Sequence, residues 1–260
     1  MFQGVTRTYQ LYVPPVYRGN TNVPLVFDFH GFGSNAVQQI AYGNFEPLAD
    51  RDDFLIVAPD GQGPVKHFNL SGEKGLQNDV AMTLALLTHI ESAFCVDTRR
   101  VYSTGMSDGG AMTSVLACVA AGKFAAFGPV AVQLAPPSCN DHPVAMIAFH
   151  GTKDPVVPYA GGTVNCCGGA RIASTTGSMA TWAVHDHCDA QFTDTRLGSE
   201  VSKRTWTGCN GTSAVVLYSI IGGGHTWPGS IAVPRLGMTT KQIDASRTIW
   251  AFFVAHPLAP

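Results

Sequence analysis

The feature that most constrains this chain is the pentapeptide Gly105-Met106-Ser107-Asp108-Gly109 and where it falls. Residues 100–104 are rich in strand-forming types, and a helical run reaches to about residue 121. A serine in a G-x-S-x-G turn between a strand and a helix is lifted above the sheet with its hydroxyl exposed. The turn is sharp, and larger residues two positions to either side would clash, so glycines stand there. The helix that follows aims its first N–H groups at the same point. A chain built around such a turn needs a strand–helix layer fold to hold it.

The rest of the sequence supplies one. Strand-like runs are read at residues 7–13, 24–30, 54–58, 100–104, 127–132, 144–150 and 214–221. Helical spacing is read at 35–51, 76–94, 175–187 and 243–255. Strands alternating with helices predict an α/β fold with a mostly parallel central sheet flanked by helices. At 260 residues, the chain is expected to form a single domain over 1–260. Apolar residues make up 45% and charged residues 13%, the reverse of a disordered composition. The 28 glycines and 16 prolines are spread along the chain, as in structured loops.

The serine needs an acid and a base. In the α/β-hydrolase fold they follow in the order serine, Asp or Glu, then His, each beyond a strand end. The strand at 144–150 runs into Gly151-Thr152-Lys153-Asp154-Pro155, and the strand at 214–221 runs into Gly222-Gly223-Gly224-His225. Ser107, Asp154 and His225 are therefore the expected catalytic triad. His225 would take the serine proton and return it to the leaving alcohol, with Asp154 orienting the imidazole. Asp154 could instead be a turn-capping acid before Pro155, leaving Asp141 as the substitute, and His225 could be a surface histidine. The oxyanion hole would use the backbone N–H groups of Asp108 and, in the His30-Gly31-Phe32-Gly33 loop, Phe32. His30 is expected to act behind that loop. No metal or organic cofactor is needed for this chemistry.

The motifs resemble the polyhydroxybutyrate-depolymerase-like esterases, which include feruloyl and acetyl xylan esterases (carbohydrate esterase family 1 type). The resemblance is carried by PLVFDFHGFGSNA, APDGQG, CVDTRRVYSTGMSDGGAMTSVLAC, HGTKDPVVPYAGG and GGGHTWPG, and covers nearly the whole chain. It implies an extracellular serine esterase acting on plant cell-wall esters, with a hydroxycinnamate or acetyl ester as substrate, or on a polyester. It also implies Ser107, Asp154 and His225 as the triad, and pairing of Cys188 with Cys209. The chain departs from the family pattern at Asn78-Asp79, where paired aspartates are common, and at His67-Phe68, near a usual tryptophan. A catalytically inactive binding protein on the same scaffold is the competing reading from outside the enzymes.

Seven cysteines agree with export. A packing argument pairs Cys95 with Cys118, on the view that the helix after Ser107 returns as far as the preceding strand advanced. Cys139, Cys166 and Cys167 stay unassigned. Sequons at Asn69 and Asn210 suit a secreted glycoprotein. The chain opens without a basic-then-apolar leader, so an exported protein would appear here in mature form, with Met1 an added start. His185-Asp186-His187-Cys188 invites a metal reading, but histidines at i and i+2 do not share a helix face. Trp227, beside His225, would be either a substrate-binding wall or core packing. A net charge of -2 with scattered Lys and Arg argues against nucleic acid, and no apolar run reaches membrane-span length.

Overall fold

Seven consecutive buried residues, Val23–Phe29 (β2), explain the architecture. A strand buried on both faces needs layers above and below it, and parallel neighbours supply this through helical crossovers. The computed structural model describes residues 1–70, 72–135 and 138–259. Besides β2, the strands are β1 (Tyr9–Tyr12), β3 (Leu55–Pro59), β4 (Val96–Met106), β5 (Ala126–Val130), β6 (Ala145–Gly151), β7 (Gly162–Thr163), β8 (Arg171–Ile172), β9 (Phe192–Arg196), β10 (Val201–Trp206) and β11 (Ala214–Ile220). The helices are α1 (Ala36–Gly43), α2 (Glu46–Asp52), α3 (Asp79–Ala93), α4 (Asp108–Val119), α5 (Thr175–His185) and α6 (Ala245–Ala255).

Nine strands form one sheet in the order β1-β3-β2-β4-β5-β6-β11-β10-β9. The run from β3 to β11 is parallel, and β1, β10 and β9 add antiparallel edges. Alternation along β2 sends Leu25, Phe27 and Phe29 to a core under α3, α4 and α5, and Val26 to a core under α2 and α6. The chain moves outward from β2 to β3, then crosses back to β4 and continues the other way. This reversal places a crevice beyond the C-terminal ends of β2 and β4.

Several expectations needed correcting. Residues 35–51 form two helices instead of one. Asn44 takes a left-handed conformation (φ 51°) and ends α1, and Pro47 opens α2. A Cβ on Gly43 would lie 2.5 Å from the carboxylate of buried Asp28, so the break also makes room for that acid. The β9–β10 hairpin was not read from the sequence, because β9 is exposed along its whole length and carries no apolar alternation. Its Asp194 receives both guanidinium bonds of Arg204, at 2.8 and 2.7 Å.

The expected Cys95–Cys118 bond does not form. Cys118 is bonded to Cys139, and Cys95 is a free thiol. Cys95 lies twelve residues before Ser107 and Cys118 eleven after it. That is about 40 Å of strand against about 16 Å of helix, so α4 falls well short of its starting edge. Cys188 and Cys209 are bonded, closing the base of the β9–β10 hairpin. Asn69 is 3% exposed. Its amide donates to the carbonyls of Glu73 and Leu76, while its oxygen accepts from Gly72 and Glu73. No glycan fits on it in the folded state; Ser71 of this sequon lies outside the described residues. Asn210 is exposed.

The N-terminal segment is held by an internal ion pair. Arg7 Nη2 lies 2.5 Å from Asp79 Oδ1 at the start of α3 and also donates to the Asp60 carbonyl. Asp79 is fully buried and accepts from the Asn69 N–H and the Gln62 amide as well. Asp79 is thus a structural clamp. Removing Arg7 strands a buried carboxylate. Arg7→Ala is expected to lower unfolding free energy by about 3–5 kcal/mol, read as a lower urea midpoint.

Candidate active site

Ser107 sits at the C-terminal end of β4, before the first turn of α4, with φ 57° and ψ −113°. A non-glycine residue in this region is strained and holds only where its surroundings enforce it. Here they do. The Ser107 N–H donates to the Val130 carbonyl at 2.8 Å, and its own carbonyl accepts from Ala111. Added Cβ atoms would come within 2.6 Å of the Phe29 carbonyl oxygen at Gly105 and within 2.0 Å of it at Gly109. The two glycines therefore allow α4 to descend directly beside β2, and the serine is left at the crest.

Asp154 and His225 meet beyond the ends of β6 and β11. His225 Nδ1 donates to Asp154 Oδ2 at 2.7 Å, and both residues are buried. The other carboxylate oxygen, Oδ1, accepts the N–H groups of Val156 and Val157, each at 2.8 Å. Close approach of the two strand ends requires Gly151, where a Cβ would lie 2.3 Å from the carbonyl oxygens of Gly223 and Gly224. Burial opposes ionisation of Asp154. The hydrogen bonds from His150, His225 and the Val157 backbone outweigh it and hold the carboxyl well below its ordinary range.

His150 was not singled out from the sequence. It lies on the last turn of strand before Gly151, with Nε2 3.0 Å from the Val157 carbonyl and 3.3 Å from Asp154 Oδ2. Gln133 and Thr175 face its Nδ1, each at 2.8 Å. It meets the same carboxylate oxygen that His225 holds, and so helps to fix Asp154. The His-Gly-Thr-Lys-Asp spacing placed this histidine beside the acid, but nothing in the sequence distinguished it from a core residue.

His30 governs the neighbouring loop. The Gly61 N–H donates to its Nε2 at 2.8 Å, so the ring proton is on Nδ1, which donates to the Gly31 carbonyl at 2.7 Å. Burial, the largest influence, lowers the pKa of His30 and favours this neutral form. Ser34 N–H also donates to the Gly31 carbonyl. In a trans peptide the N–H points opposite to the C=O. Pinning the Gly31 oxygen therefore directs the Phe32 N–H away from His30. The N–H of Asp108, in the first turn of α4, has no carbonyl within its helix.

Gly31, Phe32, Ser107 and His225 line one cleft of ≈ 510 Å³. Its further walls include Tyr42, Val156, Leu236 and the Cys166–Cys167 disulfide. Trp227 is not part of this wall. It is 1% exposed, packs against Phe45 and Tyr42, and donates to Ser246 from its indole. The substrate-wall expectation fails because the His225 loop folds inward immediately after the histidine. Phe68 is likewise buried, with its ring 4.8 Å from that of His30.

Residues 7–165 match the esterase PHB depolymerase family. The chain belongs to that family. It is 29% identical over 256 residues to a probable feruloyl esterase C of Aspergillus oryzae, covering 96% of this chain and 84% of that protein. Feruloyl esterase D of Neurospora crassa is 33% identical over 172 residues, covering 61% of this chain and 57% of its own. Among solved structures, an acetyl xylan esterase from Aspergillus awamori superposes with a TM-score of 0.65 at 14% identity, covering 95% of this chain and 93% of that one. That likeness establishes the α/β-hydrolase fold.

Asp108 gives the site a pH signature. Its carboxylate accepts the Phe68 N–H at 2.8 Å, yet burial dominates and raises its pKa to about 6. The unfolded reference is about 3.9. The folded value is the higher one, so the folded state holds this proton more tightly. The associated stability is complete below about pH 4 and is lost as pH rises through about 6. Asp108→Asn keeps an acceptor for Phe68 and removes the titration. Melting temperatures across this window should show the wild type falling relative to the variant as pH rises; a pH-independent offset would contradict the assignment.

Proposed function

We propose that the chain is a serine carboxylic-ester hydrolase with Ser107 as nucleophile, His225 as general base and acid, and Asp154 as the orienting carboxylate. The observation that carries this reading is the 2.7 Å Asp154–His225 hydrogen bond in the cleft that also presents Ser107 on its strained turn. With Nδ1 donating to Asp154, the lone pair of His225 Nε2 is available to accept the hydroxyl proton as Ser107 Oγ attacks the ester carbonyl. The resulting oxyanion receives the Phe32 and Asp108 N–H groups. Collapse expels the alcohol, protonated by His225, and leaves an acyl-Ser107 ester. Water then attacks that ester, giving its proton to His225, and a second collapse releases the acid and restores Ser107.

A feruloyl or related hydroxycinnamoyl ester of plant cell-wall polysaccharide is the proposed substrate. The named feruloyl esterases among the relatives, one aligned over nearly the whole chain, support it. An acetyl xylan ester, or a polyester as the family description implies, is the second reading, and the structural neighbour named an acetyl xylan esterase favours the former of these. Three disulfides suit an oxidising, extracellular setting, and exposed Asn210 is the sequon open to a glycan. No described helix is long and apolar enough to cross a membrane.

A fluorophosphonate probe should label the wild type at Ser107. Ser107→Ala should abolish labelling and lower kcat by about 10⁴-fold or more, with folding unchanged by circular dichroism. Hydrolysis of methyl ferulate, acetylated xylan and a polyester film, compared in parallel, assigns the substrate. An unlabelled wild type would favour an inactive binding protein instead.

A further inference from the structure

We propose that the disulfide between the adjacent residues Cys166 and Cys167 is the wall against which the planar acyl ring of the substrate lies, so that it sets preference for aromatic acyl groups. This rests on the esterase reading above and adds a specificity element to it. Both cysteines line the cleft that contains Ser107 and His225. They sit in the turn between β7 and β8, and Cys167 is exposed with φ 54°.

The turn is tied to the loop that carries Asp154. Asn165 donates from its backbone to the Val156 carbonyl at 2.8 Å and from its side chain to the Pro155 carbonyl at 2.9 Å. Val156 in turn donates its N–H to Asp154. Within the turn, Gly169 N–H donates to Cys166, and Val164 N–H to Ala170. The disulfide is thereby held at a fixed place relative to the proposed proton relay.

Stabilisation does not account for this bond. A disulfide constrains the unfolded chain in proportion to the loop it closes, and adjacent residues enclose almost none. The other two bonds each span 21 positions. What the vicinal bond does create is a surface: a closed ring with no free side-chain torsion, no side-chain hydrogen-bond donor and two polarisable sulfurs. Sulfur makes favourable contacts with aromatic rings. A wall that is already rigid loses no side-chain freedom when a ring settles on it.

The rest of the cleft is divided to match. Sheet order places β4, and hence Ser107, between β2 on one side and β6 and β11 on the other. On the same side of Ser107 as the disulfide, the loops after β6 and β11 contribute the aliphatic Val156, Ile231, Val233 and Leu236, with Arg235 among them. The segment after β2 contributes the hydroxyl of Ser34 and the amides of Gln38 and Gln39, set among Phe32, Ala41 and Tyr42. An aromatic acyl ring fits the first side, and the hydroxyls of a sugar alcohol fit the second.

The test compares wild type with the double variant Cys166→Ala, Cys167→Ala on methyl ferulate and on methyl acetate, followed by pH-stat. KM for methyl ferulate should rise about three- to tenfold, with kcat and both methyl acetate constants within about twofold of wild type. Fluorophosphonate labelling of Ser107 should persist in the variant. A variant that is labelled but keeps the wild-type KM for methyl ferulate overturns the proposal alone. Equal rises in KM for both esters overturn it too, and so does peptide mapping that finds free thiols at both positions. A wild type that the probe does not label overturns the esterase reading and this one with it. Should the double variant not fold, wild type reduced and alkylated at Cys166 and Cys167, with the other bonds intact by mass spectrometry, gives the same comparison. Raised KM for methyl ferulate alone supports the proposal, and unchanged KM overturns it.

Discussion

The structure depends on one steric constraint: two backbones pass within contact distance where α4 leaves the crest of β4 alongside β2. The carbonyl oxygen of Phe29 occupies the space that a Cβ on Gly105 or Gly109 would need. No side chain can be placed between these elements, so the turn at Ser107 has one conformation available. Its strain is held by the Val130 carbonyl on one side and by the first turn of α4 on the other. Everything the cleft presents is measured from that point. The Gly31-Phe32 loop continues β2, and the Asp154 and His225 loops continue strands on the far side of β4.

A second layer of hydrogen bonds turns this placement into oriented chemistry. His30 does not face the cleft, yet its fixed tautomer determines which way the Gly31–Phe32 peptide points. His150 stands in the same relation to Asp154. In both cases a buried imidazole holds a group that would otherwise rotate. Preorganised dipoles of this kind need no rearrangement when charge develops.

Much of this was legible in the sequence because it is written in short-range patterns. The G-x-S-x-G turn, the glycine-rich loop before His225 and the continuous apolar run of β2 each combine residue type with position at a strand end. The parallel direction of the central strands follows from their alternation with helices. What stayed hidden depended on distance in space. The Cys118 partner could not be found by equating strand and helix travel, since their rises per residue differ about twofold. Trp227 looked the same in sequence whether its loop turned outward or inward. Cys166 and Cys167 were set aside as leftovers, because bonded neighbours form no long-range link and their meaning lies in what they face.

One feature at the far end of the sheet bears on how the molecule behaves among its own copies. The terminal strand β9 leaves a row of backbone groups unpaired along its outer side, which is the usual nucleus for chains to join sheet to sheet. Its sequence, FTDTR, is polar, and the Arg204 guanidinium lies 3.6 Å over the Phe192 ring while gripping Asp194. Another chain docking there would have to strip water from these charged groups. This border of the sheet therefore stays solvated and resists the addition of a further strand.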